Sequence, residues 1–119
     1  MTQNEKELLL KDLCCRLPYG VKVQTTYINP QTKERKDIGT DVLSTVEISM
    51  LIDGYEEHKP YLFPLSSMTE EQEKEWRYTL SSDGNITYDT VDWCNENHLD
   101  YRGLIPMDLA IDATGLNIY

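Results

Sequence analysis

Cys94 and His98 stand four residues apart, a spacing that presents two ligands from one helical face, and the adjacent Cys14 and Cys15 supply further sulfur donors for a metal such as zinc. A thiol beside His98 or His58 is also the raw material of a cysteine nucleophile, provided a base lies within hydrogen-bond reach. Against both readings, no Cys-x-x-Cys pair occurs, and neither histidine lies in a recognisable catalytic motif. A free cysteine on an apolar stripe is also usually a small core residue. Gly-x-Gly-x-x-Gly and Gly-Lys-Ser/Thr loops for cradling phosphate are absent as well. No cofactor, metal or catalytic residue is therefore expected.

Asp89, Asp92, Glu96 and Asp100 bring carboxylates together near one helix, as divalent-ion sites and acid–base pairs require. Their spacing fits no recognised loop, and Asp89 and Asp92 are better read as an N-cap and a first-turn acid facing the positive end of a helix dipole. His98-Leu99-Asp100-Tyr101-Arg102-Gly103 is the densest mixture of polar and aromatic side chains in the chain. It follows a helix end, where irregular backbone often carries function. His98, Asp100, Tyr101 and Arg102 are the candidate interaction site. The competing reading is a helix C-terminal clamp in which Asp100 pairs with Arg102.

At the head of the chain, Thr2-Gln3-Asn4-Glu5 is a capping box that starts a helix. Leu10, Leu13, Cys14 and Leu17 follow on one stripe with Leu9 beside it, and Pro18 and Gly20 end the helix. Val21–Ile28 alternates as a half-buried strand. Asn29 to Asp37 is a polar, locally basic connection. Val42–Ile52 has apolar residues at even positions and is expected to be the central strand. Tyr61–Phe63, bracketed by Pro60 and Pro64, is expected as an edge strand or as an extended apolar segment packed on the core. A helix from Thr69 to Leu80, a short strand at Ile86-Thr87-Tyr88, and a third helix capped by Asp89 or Thr90 and carrying Val91, Cys94 and His98 complete the regular structure. Leu104 to Tyr119 is non-periodic and expected to pack as irregular chain, with a short strand or helical turn at Leu109-Ala110-Ile111. The expected fold is α+β: a small antiparallel sheet of about three strands, an N-terminal helix and two further helices, in one domain over 1–119.

At 119 residues, with 39% hydrophobic and 27% charged side chains, the chain has enough apolar material for one core. Its formal charge of −10, from 21 acidic and 11 basic residues, disfavours direct binding to nucleic acids or anionic lipid. No apolar run reaches the roughly 18 residues of a membrane span, and the first residues are acidic and polar where a signal peptide would be basic. Three cysteines, two of them adjacent, do not form a disulfide framework, so a reducing cytoplasm is expected.

Three segments carry a resemblance: Leu8 to Val23 (Leu-Leu-Leu-Lys-Asp-Leu-Cys-Cys-Arg-Leu-Pro-Tyr-Gly-Val-Lys-Val), Lys59 to Glu71, and Asp100-Tyr101-Arg102-Gly103-Leu104-Ile105-Pro106. Together they resemble small proteins of gut anaerobic bacteria and their phages, a group that implies no activity. The stretch from Thr25 to Glu57 looks the most variable. A phage or mobile-element setting implies binding to host proteins. The functional expectation is a non-catalytic protein-interaction module with an unknown protein partner. Two alternatives stay open: an inhibitor that imitates nucleic-acid charge, and a small enzyme or metal protein using Cys94 and His98.

Overall fold

Thr2 accepts the backbone N–H of Glu5, and the Glu5 carboxylate accepts that of Thr2, so helix α1 (Gln3–Arg16) begins where the capping box places it. The computed structural model describes every residue from Met1 to Tyr119. Leu9, Asp12, Leu13 and Arg16 form the buried stripe of α1, whereas Cys14, expected inside, is exposed. The stripe is rotated because Asp12 and Arg16 satisfy each other and can be taken out of water together, four residues apart on one face.

Strand β1 (Lys22–Ile28) forms a hairpin with β2 (Arg35–Val42) across the loop Asn29–Glu34. Arg35 to Asp37, expected in an exposed connection, thus belong to a strand. Helix α2 (Thr45–Ile52) follows, then β3 (Glu56–Leu62), α3 (Glu70–Thr79), α4 (Tyr88–Glu96) and the two-residue β4 (Ile111–Asp112). The sheet order is β2-β1-β3-β4, antiparallel except for the parallel β3–β4 pair.

The fold is α+β as expected, with four strands in place of three and three helices after α1 in place of two. The main correction is that Thr45–Ile52 is helix, not central strand. Ser44 accepts the N–H of Val46 and donates to Glu47, which starts a helical turn. Ile48 and Leu51, three apart, then face the core, while Val46 and Ile52 point outward despite their hydrophobicity. Ile86-Thr87-Tyr88 is likewise not a strand, since Thr87 caps α4 in a capping box with Thr90.

β3 is interior, although Pro60 lies within it. Ile28 donates to the carbonyl of Tyr55 and Ala113 to that of Leu62. Alternation along the strand therefore turns the Pro60 nitrogen toward the β4 side. β4 pairs only with Tyr61 and Leu62, so no ladder donor is required of Pro60.

The core gathers Leu9 and Leu13 of α1, Val23 of β1, Leu51 of α2, Leu62 of β3, and Leu104 and Leu109 of the irregular C-terminal chain. The molecule measures 53 × 28 × 24 Å with a radius of gyration of 15.2 Å. A compact chain of this length has about 13–14 Å, so the shape is elongated. No helix is long and apolar enough to cross a membrane.

Candidate functional site

His98 lies beyond α4, at φ 56°, rather than on its stripe, so Cys94 and His98 do not share a helical face. Burial pushes the Cys94 thiol up, which keeps it protonated and a poor nucleophile. No group of three or more His, Cys, Asp or Glu side chains converges as a metal site would require.

Of the four candidate residues, Tyr101 and Arg102 lie against each other while Asp100 and His98 hold separate contacts, and their partners differ from the expected ones. Asp100 accepts from the N–H groups of Leu104 (2.8 Å) and Ile105 (2.9 Å) and does not pair with Arg102. Arg102 reaches instead to Asp12 of α1 at 3.1 Å, whose other oxygen holds Arg16 at 2.8 Å. The Tyr101 ring lies against both guanidiniums, 5.1 Å from Arg16 and 5.0 Å from Arg102. Burial pushes the Tyr101 hydroxyl up, keeping it neutral between the two cations. His98 stacks on Tyr119 with ring centres 3.8 Å apart and planes 8° from parallel. Its pKa falls to about 4, first through burial and then through Arg16 and Lys22.

Tyr119 is itself tied down, its hydroxyl donating to the carbonyl of Tyr61 and accepting the N–H of Lys22. Burial pushes that hydroxyl up to about 12. These contacts describe a clamp fastening α1, the end of α4 and the C-terminal segment to the sheet. His58 plays a similar part inside the sheet: it is fully buried, 3.0 Å from the Thr25 hydroxyl, and burial lowers its pKa.

The cleft beside His98 holds about 430 Å³ and is lined largely by polar chain, including Ser67, Gln72, Glu96 and Asn97. Small-molecule pockets are typically mostly apolar with a few convergent polar groups, which this cleft does not match. A crevice between α3 and α4, lined by Leu65, Trp76, Ile86 and Val91, is apolar but holds only about 60 Å³.

The largest departure from a closed fold is β2, exposed at all eight positions, Ile38 and Val42 included. Val46 of α2, 67% exposed, borders the same groove as Ile38, a depression of about 230 Å³ that also contains Asp41, Glu47 and Glu56. Sequence reasoning missed this surface because it placed Val42 and Val46 inside a central strand. Two signals pointed to it: the Ser44-Thr45-Val46-Glu47 capping pattern, and Gly39, whose presence within a strand marks a bulge.

No protein-family model, curated protein or solved structure matches this chain.

Proposed function

We propose that this protein is a non-catalytic protein-interaction module of the cytoplasm, and that it binds through the surface formed by β2 and the start of α2. The observation that carries the reading is the exposure of β2 along its whole length. Ile38 and Val46 form the apolar part of the groove there, and Val42 is exposed on the opposite side of the strand. β2 pairs along one edge alone, with β1, and reaches β3 through the Arg35–Glu57 ion pair and the Thr40–Tyr61 hydroxyl contact, so its other edge stays free. Exposed apolar side chains rimmed by charge are typical of sites where proteins meet.

The polar residues first singled out for function support the same reading from the other side. Asp100, Arg102 and Tyr101 are committed to structural contacts, which leaves the interaction to other residues. Three free thiols, one of them exposed, fit a reducing compartment. A role in binding host proteins also accords with the resemblance to small proteins of gut anaerobes and their phages.

The test is capture of binding proteins by the wild type and by the double variant Ile38→Asp/Val46→Asp, with Tyr78→Asp on the remote helix α3 as control. A protein retained by wild type and control but lost with the double variant supports the reading. A protein retained equally by all three overturns it.

A further inference from the structure

The bulge in β2 determines which of its backbone groups are free. Thr25 pairs with Gly39 and Thr26 with Asp37, which leaves Ile38 as the extra residue. Leu43 donates to the carbonyl of Val21, and Asn29 to that of Glu34. Alternation from these two bonds turns residues 39 and 41 toward β1 on one side of the bulge and residue 36 on the other. The outward-facing backbone groups are therefore those of Arg35, Asp37, Thr40 and Val42.

That set is self-complementary. In an antiparallel pair of two β2 strands with the two-fold axis between residues 38 and 39, Arg35 meets Val42 and Asp37 meets Thr40, outward groups against outward groups. In an unbulged strand the outward residues share one parity, and the axis that pairs them would pass through a residue rather than between two.

We infer that β2 joins antiparallel to β2 of a second copy of this chain, with Lys36 of each opposite Asp41 of the other. Both side chains lie on one sheet face, so the two-fold axis sets two opposite-charge pairs across the seam. Ile38 of one copy falls against Gly39 of the other, where the space in which a side chain would stand is empty.

In the single chain, the Asp41 carboxylate accepts the Val42 N–H at 2.8 Å, covering one of the outward donors. On pairing, Lys36 of the second copy takes the carboxylate, and the Val42 N–H turns to the facing Arg35 carbonyl. Bulges and edge charges ordinarily keep a strand from pairing indiscriminately. Here a single symmetric register pairs all four outward residues. The inference rests on the reading of β2 as an interface and names its occupant.

The test is sedimentation of the wild type and of Lys36→Asp and Asp41→Lys, separately and mixed. It is run at ~0.15 M salt, where repulsion between the two acidic bodies is screened beyond about 8 Å. A series from about 1 µM to 1 mM covers the range of weak and moderate interfaces. The wild type is expected to move from 13.8 kDa toward twice that mass.

Each variant alone sets like charges opposite each other and should raise the dissociation constant at least about tenfold. An equimolar mixture restores both opposite-charge pairs and should dimerise as the wild type does. A wild type that stays monomeric throughout overturns the inference. So does dimerisation of both single variants at wild-type strength, or a mixture that fails to associate when the wild type does. The capture comparison with Ile38→Asp/Val46→Asp then decides independently whether the surface binds another protein.

Discussion

The buried guanidinium of Arg16 donates to the carbonyl of Leu99 at 2.6 Å, joining points 83 residues apart in the chain. The same side chain is held by Asp12 at 2.8 Å, and the other oxygen of Asp12 receives Arg102. One carboxylate thus stands between two cations and links α1 to the segment that follows α4. This arrangement turns the most chemically suggestive residues of the sequence into a structural joint.

Removing Asp12 should therefore be severe. Asp12→Ala leaves Arg16 buried without its counter-charge, and breaking such a pair from one side costs about 3–5 kcal/mol. Urea unfolding is expected to show a loss of that size, whereas the same substitution at the exposed Asp83 should change stability by less than about 0.5 kcal/mol.

Asp100 supplies a second, smaller effect. Asp100→Ala strips the acceptors from the N–H groups of Leu104 and Ile105, in a region that includes the fully buried Leu104. Leaving buried donors unmet costs about 1–3 kcal/mol each. Hydrogen exchange should show Leu104 and Ile105 losing protection ahead of the rest of the core.

The stacked His98 ring makes stability depend on pH. Its pKa is about 4 in the folded chain against 6.5 when exposed, so between those values the unfolded state binds the proton and the folded state does not. Stability contributed by the neutral ring is fully present above 6.5 and is lost as pH falls toward 4. The slope stays below the limiting ~1.4 kcal/mol per pH unit of a single group, because solvent partly screens the ring. Thermal unfolding of His98→Gln should show a flatter decline from pH 6.5 to 4 than the wild type. His58, lowered by burial in the same direction, keeps the variant from becoming pH-independent.

Ser44→Ala tests why α2 is a helix. Loss of the side-chain acceptor for the Val46 N–H should cost about 1 kcal/mol. If Thr45–Ile52 were a strand, the same change would leave stability nearly untouched.

Helices α1 and α3 were legible because their starts are written locally, at Thr2 with Glu5 and Thr69 with Gln72. β1 was legible from the alternation that buries Val23 and Thr25. α2 was not, because Val46, Ile48, Met50 and Ile52 alternate as a strand would. The cap at Ser44 and the tertiary contacts of Ile48 and Leu51 prevail over that period. Within the segment His98–Arg102, the expected Asp100–Arg102 pair does not form, because Asp100 turns to the Leu104 and Ile105 N–H groups and Arg102 to Asp12. Asp12 and Arg16 lie more than 80 residues away and are joined to that segment only by folding.

Site-specific photo-crosslinking reads directly where a partner touches the molecule. A photoreactive side chain placed at Val46, and in a separate sample at the remote and highly exposed Tyr78, is activated in the presence of whatever the wild type captures, a second copy included. Crosslinks from Val46 and none from Tyr78 are the predicted result. Crosslinks confined to Tyr78 would contradict the assignment of β2 and the start of α2 as the interaction surface.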